Sequence, residues 1–246
     1  MNRLKDKIIV VTGGNGLLGK SFIKNIIKEK GIAINLDINS YSNINKGILK
    51  CDITSRESIQ SSINLIIKKY GRIDGWVNNA YPRTKDWGNK FENINSESWK
   101  KNIDIQLNSV FDCCQLVLKI MSRQKKGSII NISSIYGLKA PDFNVYKGTT
   151  LTMPAAYSAI KGGINTFTKY LSSYYGPKGI RVNCISPGGI FDNQNKTFVK
   201  NYEERVPLRK MANPDNIAPS VCFLLSEEAS YITGHNLVID GGWMTV

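Results

Sequence analysis

The sequence predicts an α/β fold, namely a single Rossmann-type domain in which a doubly wound parallel sheet of about seven strands carries helices on both faces. Two observations indicate this fold class. Short apolar runs rich in β-branched residues alternate with longer segments whose apolar residues recur at helical spacing. No internal repeat, low-complexity linker or change of composition divides the 246 residues, so we expect one domain over residues 1–246.

The strand predictions come from the short apolar runs. Ile8–Thr12, I-I-V-V-T, is uninterrupted and ends at glycines, which is typical of a parallel strand buried on both faces. Similar runs predict strands at Ile32–Leu36, Ile48–Cys51, Ile73–Val77, Ser128–Ile132, Ile180–Ile185 and Leu237–Ile239.

The helix predictions come from the segments between these runs. The apolar stripe of Leu17–Lys30 comprises Leu18, Phe22, Ile23, Ile26 and Ile27, and that of Ser55–Tyr70 comprises Ile59, Ile63, Ile66 and Ile67. Further helices are predicted at Ser96–Met121, Ala155–Tyr175 and Pro214–Leu225.

Three irregular stretches, 81–95, 138–153 and 189–213, follow the fourth, fifth and sixth strands. Ligands of open α/β sheets bind beyond the carboxyl ends of the strands. We therefore expect the three stretches to surround one site, with the loop at about 189–213 acting as a mobile lid.

The composition argues against several classes of function. His235 is the only histidine, which disfavours a Ser-His-Asp triad and a multi-histidine metal site, so no metal is expected. The five cysteines form no C-x-x-C and lie in apolar segments, which indicates buried reduced thiols. No signal peptide or membrane-spanning run is apparent, so a cytoplasmic protein that binds no membrane is expected.

The net charge of +14 is scattered along the chain without a basic run of five or more residues. This pattern disfavours a nucleic-acid groove. An anionic small-molecule substrate or an acidic carrier protein would explain the charge.

A dinucleotide site is indicated by T-G-G-N-G-L-L-G at 12–19, where Gly13, Gly16 and Gly19 lie between a predicted strand and a helix. A strand-to-helix turn favours glycine for structural reasons as well. Asp37 ends the second strand eighteen residues after Gly19 and is placed to accept the ribose hydroxyls, although a turn aspartate is the alternative. No basic residue follows it until Lys46, which favours NAD over NADP.

The order of the motifs resembles the short-chain dehydrogenase/reductase family over essentially the whole chain. The motifs are the glycine turn, N-N-A at 78–80, I-I-N-I-S-S at 129–134, Y-S-A-I-K at 157–161, R-V-N-C-I-S-P-G at 181–188 and Y-I-T-G-H-N-L-V-I-D-G-G at 231–242. The resemblance implies Tyr157 as catalytic acid/base, Lys161 as its partner and Ser134, rather than Ser133, as the group that polarises a carbonyl. On its own, a Tyr and a Lys four residues apart on a helix are a common coincidence.

The resemblance also implies which residues hold the cofactor. They are Gly13, Asn15, Gly16, Leu17, Leu18, Asp37, Ile38, Asp52, Ile53, Asn79, Ala80, Tyr157, Lys161, Pro187, Gly188 and Ile190. For Asp52, a contact with the adenine and a turn or helix-cap role ahead of Thr54 are equally open.

The chain departs from the family pattern at several positions. Tyr81 stands where glycine is usual, Gln106 where the fourth catalytic residue is an asparagine, and Asp192 where a threonine is expected. The glycine spacing resembles that of the extended subgroup, whereas the length and the later motifs resemble the shorter one. Ser134 and Tyr157 are 23 residues apart, more than is usual, and the extra polar residues are either a substrate-recognition segment or a surface excursion.

The function implied is an NAD(H)-dependent interconversion of a carbonyl and a secondary alcohol. The segments around Tyr157 are similar to a subgroup in bacterial surface-glycan and flagellin-glycosylation pathways, which implies a sugar, sugar-phosphate or nucleotide-sugar substrate. Candidate substrate contacts are Tyr81, Arg83, Tyr136 and Lys147, and candidate phosphate-binding cations are Arg83, Lys85, Lys139, Lys147, Arg205 and Arg209.

Two other functions remain open for the same fold: a 3-oxoacyl-carrier-protein reductase and a non-catalytic NAD sensor. The intact Ser134, Tyr157 and Lys161 argue against the sensor. The helices at 96–121 and 155–175 resemble those that build the family's subunit interfaces, which implies a homodimer or homotetramer.

Overall fold

The structure is a computed structural model that describes residues 2–246. A sheet of seven parallel strands forms its centre. The strands are β1 (Ile8–Thr12), β2 (Ile32–Asp37), β3 (Ile48–Lys50), β4 (Gly75–Asn78), β5 (Gly127–Ile132), β6 (Ile180–Pro187) and β7 (Asn236–Ile239). Their order in the sheet is β3-β2-β1-β4-β5-β6-β7, with every pairing parallel. The order reverses between β1 and β4, where such sheets bind ligands.

Helices cover both faces of the sheet, so the predicted fold class is confirmed. They are α1 (Leu17–Lys28), α2 (Arg56–Tyr70), α3 (Ser96–Ile103), α4 (Ser109–Gln124), α5 (Ala155–Tyr175), α6 (Lys196–Arg205) and α7 (Pro214–Leu225). Helices α1 and α7 pack on one face, and α2, α4 and α5 pack on the other.

Alternation along β1 shows why its sequence is apolar without interruption. Ile8 and Val10 belong to the core under α2, α4 and α5, whereas Ile9 and Val11 belong to the core under α1 and α7. Successive side chains of a strand point to opposite faces, so a strand covered on both sides needs apolar residues throughout.

A third buried cluster lies beyond the carboxyl ends of β5 and β6. It combines Ile135, Tyr136, Val145, Tyr202, Val206, Met211 and Trp243. Two of the irregular stretches therefore share a core of their own, which packs them against the C-terminal segment.

The predicted helix at Ser96–Met121 is interrupted in the structure. A π-helical turn at Asp104–Asn108 separates α3 from α4, and α4 continues to Gln124. Single π turns within a helix are frequent at functional sites, and this one contains Gln106.

The stretch 189–213 was predicted as a lid-like loop, but it contains helix α6. Asn195 caps this helix, since its Oδ1 accepts hydrogen bonds from the backbone N–H groups of Thr197 and Phe198. Its sequence is mostly polar, and only Phe198, Val199 and Tyr202 form an inward stripe. Residues 196–205 are thus helical rather than part of a loop, and the action of the stretch as a lid stays a prediction.

Three further findings bear on the compositional predictions. All five cysteines are buried and unpaired, as predicted. Across residues 2–246, no helix has the length and apolar character needed to span a bilayer. Within the same residues, no group of three or more His, Cys, Asp or Glu side chains is arranged to hold a metal ion.

Candidate active site

A cavity of about 860 Å³ opens beyond the carboxyl ends of β1, β4, β5 and β6. Residues of all three irregular stretches line it, which confirms that they surround one site. Every residue predicted to bind the cofactor lines it as well, together with Ser134 and the substrate candidates Tyr81, Arg83 and Tyr136.

The glycine turn forms one end of the cavity. Gly13 has φ +65°, and a Cβ built on it would lie 2.7 Å from the Cα of Ala80. Glycine is therefore required by both backbone conformation and close approach of the strand ends. Asn79 fixes this approach, since its Nδ2 donates to the carbonyls of Thr12 (2.9 Å) and Gly13 (3.1 Å).

Asp37 lies at the end of β2 and is 8 % exposed. Its Oδ2 accepts from the Asn15 N–H at 3.0 Å and its Oδ1 from the Asn39 N–H at 2.9 Å. These bonds hold the carboxylate in place, and each oxygen retains a lone pair for a further donor. The turn role and the ribose role are thus compatible.

Asp52 also lines the cavity. Its Oδ1 accepts from both the N–H (2.9 Å) and the hydroxyl (2.8 Å) of Thr54. The turn role of this carboxylate is therefore present, and the contact with an adenine stays a prediction.

The two serines after β5 have different partners. The Ser133 hydroxyl donates to the carbonyl of Lys161 at 2.9 Å and ties β5 to α5. The Ser134 Oγ accepts from the Tyr136 N–H at 3.2 Å, which leaves its own proton free to donate to a ligand. The structure therefore favours Ser134 over Ser133 as the group that polarises a carbonyl.

Tyr157 and Lys161 lie one turn apart on α5 and both line the cavity. Burial raises the pKa of the Tyr157 phenol, and the neighbouring Ser134 hydroxyl acts in the opposite direction. Burial lowers the pKa of Lys161 to about 8. The Lys161 Nζ donates to the carbonyl of Ile132 at 2.8 Å, so an ammonium ion is held close to the phenol.

Three aromatic rings meet at this point. The ring centroid of Tyr157 lies 5.7 Å from that of Tyr81 and 6.2 Å from that of Trp87, and those of Tyr81 and Trp87 are 5.8 Å apart. All three pairs are edge-to-face, the favoured geometry for aromatic side chains. The guanidinium of Arg83 lies 5.1 Å from the centroid of the Tyr81 ring.

The opposite wall of the cavity is aromatic and sulfur-rich. It is formed by Tyr136, Tyr146, Met153, Phe198, Tyr202 and Met211. Of these, only Tyr136 was predicted as a site residue. The Asn195 cap and the spacing of Phe198 and Tyr202 were the signals that could have identified α6 as part of the site.

The lengthened segment before Tyr157 packs against α6. Asn201 donates to the carbonyls of Val145 (3.3 Å) and Lys147 (3.0 Å), and Arg205 pairs with Asp142 at 3.2 Å. The rings of Tyr146 and Phe198 stack with centroids 5.3 Å apart. Tyr146 and Met153 of this segment therefore line the cavity, whereas Phe143 and Leu151 are exposed; its role in substrate recognition stays a prediction.

Tyr202 connects this wall to the loop after β6. Its Oη accepts from the Gly189 N–H at 2.5 Å. A Cβ on Gly189 would lie 2.7 Å from the Tyr202 ring. The backbone beside Pro187 and Gly188 is thus held by a residue of α6.

Two predicted site residues do not line the cavity. Lys147 is exposed on the outer surface of the lengthened segment. Gln106 is 4 % exposed, and neither its Oε1 nor its Nε2 has a hydrogen-bond partner among the described residues. The π-helical turn encloses this amide inside the protein, away from the cavity wall.

The predicted phosphate-binding cations are mostly engaged elsewhere. Lys139 and Arg205 both donate to the carbonyl of Val246, and Arg209 donates to the carbonyl of Glu204. Lys85 and Lys147 lie outside the cavity. Only Arg83 of this group lines it, so the prediction is corrected to this one residue.

Comparisons with known proteins agree with the geometry. The family model described as Enoyl-(Acyl carrier protein) reductase matches residues 37–244. Post-translational flagellin modification protein A of Campylobacter coli is 37 % identical, with 98 % of this chain and 99 % of the relative covered. A 3-oxoacyl-[acyl-carrier-protein] reductase of Chlamydia muridarum is 32 % identical, with 97 % and 98 % covered.

A solved structure shares the whole architecture. The crystal structure of a short chain dehydrogenase from Leptospira borgpetersenii, with bound NAD⁺, superposes with a TM-score of 0.88 at 34 % identity, covering 98 % of this chain and 94 % of that one.

Proposed function

The chain belongs to the short-chain dehydrogenase/reductase family, and we propose that it is an NAD(H)-dependent oxidoreductase that interconverts a carbonyl group and a secondary alcohol. The observation that carries the proposal is the meeting of Ser134, Tyr157 and Lys161 in the cavity that also contains the glycine turn and Asp37.

Proton transfer is the task of Tyr157. In reduction its hydroxyl gives a proton to the substrate oxygen, to which Ser134 donates a hydrogen bond as negative charge develops. In oxidation Tyr157 accepts the proton. A phenol with a reference pKa near 10 must titrate roughly two to three units lower to act as a base near neutrality, which requires about 3–4 kcal/mol of preferential phenolate stabilisation.

Lys161 is the source of that stabilisation. Burial alone raises the pKa of Tyr157, so the phenolate depends on nearby positive charge. With its own pKa lowered to about 8, Lys161 is still mostly protonated at neutral pH, and its ammonium ion is close enough to the Tyr157 ring to act on it (5.5 Å from the centroid).

NAD supplies or takes up the hydride when bound. The cavity fits it, since the Gly13 turn admits a close backbone approach and the fixed Asp37 carboxylate can accept ribose hydroxyls. A 2′-phosphate at this place would meet a like charge, which supports NAD over NADP.

We infer a sugar derivative that carries an anionic group as the substrate. The aromatic wall provides flat apolar surfaces together with the hydroxyls of Tyr136 and Tyr146. Arg83 provides a positive charge, since its guanidinium forms no ion pair with any carboxylate of residues 2–246. The flagellin-modification relative supports glycan biosynthesis. The acyl-carrier-protein reductase relative and the apolar Met153 and Met211 support 3-oxoacyl reduction as the second candidate.

We also propose a homodimer or homotetramer in the cytoplasm. The face of α4 and α5 presents aromatic side chains to solvent, with Phe111 45 %, Tyr170 61 % and Tyr174 57 % exposed. Such a patch favours a subunit interface. Five buried, unpaired thiols suit a reducing compartment.

The proposal is tested by Tyr157→Phe, with Tyr231→Phe at a fully exposed tyrosine as the matched control. NADH oxidation is followed with sugar phosphates, nucleotide sugars, neutral aldoses and an acetoacetyl thioester. We expect Tyr157→Phe to lose at least a thousandfold in turnover, in line with removal of the acid/base group and its charge, while NADH affinity measured by fluorescence is retained.

Each contrary outcome has a distinct meaning. Normal turnover by Tyr157→Phe would refute the assigned proton transfer. Turnover of the acetoacetyl thioester alone would favour 3-oxoacyl reduction. Tight NADH binding by the unmodified chain without turnover of any carbonyl would favour the non-catalytic NAD sensor.

A further inference from the structure

Tyr81 occupies the position directly after Asn79 and Ala80, where the family resemblance leads one to expect glycine. Its ring lies near two cations: the Arg83 guanidinium is 5.1 Å and the Lys161 Nζ is 5.5 Å from the centroid. The electron-rich face of an aromatic ring attracts cations at such distances. A glycine could make neither contact, so this chain adds an interaction at the catalytic lysine.

The Tyr81 ring is held in place by its neighbours. Trp87 packs against it at an interplanar angle of 81° and Tyr157 at 77°, and Trp87 contacts Tyr157 at 77° as well. Each ring of this set buttresses the other two. Tyr81 therefore presents a fixed surface to Lys161.

The other neighbours of Lys161 offer little to offset its burial. Its Nζ makes one hydrogen bond, to the Ile132 carbonyl on β5. The thiol of Cys184 on β6 is the one titratable group that acts on it electrostatically, and burial raises the pKa of that thiol to about 12. No carboxylate pairs with Lys161 anywhere in residues 2–246.

Besides the Ile132 carbonyl and the Cys184 thiol, the faces of Tyr81 and Tyr157 favour the ammonium form, each 5.5 Å from the Nζ. Tyr157 is the residue on which the ammonium acts, so it cannot serve as an independent support. Arg83, on the same loop as Tyr81, is a like charge and opposes protonation of Lys161. Its guanidinium is exposed and stacked on the ring, where solvent screens it.

We propose that Tyr81 is a positioning residue that keeps Lys161 in its ammonium form beside Tyr157. The inference rests on the proposed acid/base role of Tyr157 and adds a residue to it. Loss of the ring favours the neutral amine at Lys161. A neutral amine stabilises the phenolate less, so a smaller fraction of Tyr157 is ionised at a given pH.

The test compares Tyr81→Phe with Tyr81→Leu in the full chain. Phenylalanine keeps the ring face, whereas leucine keeps apolar cover over Lys161 without an aromatic quadrupole. Burial of Lys161 is thereby similar in the two variants. Tyr231→Leu, at a fully exposed tyrosine, is the control for a substitution elsewhere.

The first measurement needs no substrate. The chain is labelled with ¹³C-lysine and titrated by NMR, and the Lys161 signal is assigned with Lys161→Met. In Tyr81→Leu we expect the pKa of Lys161 to fall by about one unit, as for the loss of a desolvated cation–π contact. In Tyr81→Phe we expect the pKa of Lys161 to stay close to that in the unmodified chain.

The second measurement is the pH profile of alcohol oxidation with the best substrate from the panel above. In Tyr81→Leu the alkaline limb of kcat should move to lower pH by about one unit, because the ammonium form of Lys161 is lost at lower pH. With the pKa of Lys161 at about 8 in the unmodified chain, turnover should fall about twofold at pH 7 and about fivefold at pH 8, with KM little changed. Equal Lys161 titrations in the Phe and Leu variants would overturn the inference, whether both move or neither does. Failure of the proposed function is distinct, since it would appear as turnover by Tyr157→Phe.

Discussion

Gln106 leads to a prediction in which stability and activity move in opposite directions. Both polar atoms of its buried amide lack a hydrogen-bond partner. A buried polar group left without a partner costs about 1–3 kcal/mol. Gln106→Met keeps the length and the unbranched shape of the side chain and removes that cost, so we expect the free energy of unfolding to rise by about 1–3 kcal/mol.

The corresponding change in melting temperature follows from the chain length. With 246 residues and about 2.1 cal/mol/K of unfolding entropy per residue, the total is about 0.5 kcal/mol/K. A gain of about 1–3 kcal/mol therefore raises Tm by about 2–6 °C. Differential scanning calorimetry at one protein concentration measures this, with Gln60→Met as the control, because the Gln60 amide donates to Asn64 at 2.9 Å on an exposed helix face.

Activity should fall in the same variant. An unsatisfied amide in a π-helical turn is a destabilising feature of the kind that persists at functional sites. We expect Gln106→Asn to retain more turnover than Gln106→Met. A Tm that drops by several degrees in Gln106→Met would show that the amide is hydrogen-bonded in the native protein and would refute the reasoning. Unchanged turnover in Gln106→Met would show that the Gln106 amide contributes nothing to catalysis, directly or through its neighbours.

Two more predictions concern ligand charge. Asp37→Ser should raise the ratio of kcat/KM for NADP to kcat/KM for NAD by about a hundredfold, because repulsion between the Asp37 carboxylate and a 2′-phosphate costs several kcal/mol. Steady-state kinetics with both cofactors measures this ratio. An unchanged ratio would contradict the role of Asp37. Arg83→Gln should raise KM for a phosphorylated sugar by about tenfold to a hundredfold, as for a lost charge-assisted hydrogen bond, and leave a neutral aldose unaffected. Lys85→Gln, on the same loop but outside the cavity, is the control, and equal effects of the two variants would count against an anion site at Arg83.

The fold was predictable because its signals are local. A strand covered on both faces needs an apolar run such as Ile8–Thr12, and a helix covered on one face needs a stripe such as that of Ser55–Tyr70. The cofactor side of the cavity was predictable for a similar reason. Gly13 reflects a backbone requirement that holds wherever two strand ends meet this closely.

The opposite wall was not predictable in the same way. Helix α6 has few apolar residues because most of its surface faces solvent, and its pairing with the lengthened segment depends on contacts such as Asn201 to Lys147, 54 positions apart. The interruption at Gln106 also leaves no periodic signal, since one extra residue in a helical turn shifts the apolar stripe only slightly. Lys147 was misplaced because charge alone does not tell which way a side chain on an irregular segment points.

The proposed catalytic residues and the aromatic wall are attached to different parts of the fold. Ser134, Tyr157 and Lys161 are attached to β5 and α5, whose positions the whole sheet determines, so these three proposed catalytic groups are held rigidly. The aromatic wall is attached to two peripheral elements that mainly hold each other, through Asn201, Arg205 and the stacked rings of Tyr146 and Phe198. Because Tyr202 also binds the Gly189 N–H, a change of sequence in this wall acts on the loop at Pro187 and Gly188, which is proposed to hold the cofactor, as well as on the cavity wall. We therefore expect substitutions in the aromatic wall to change substrate specificity without disturbing the sheet. Through Tyr202 and Gly189, the same substitutions should also affect how the cofactor is placed.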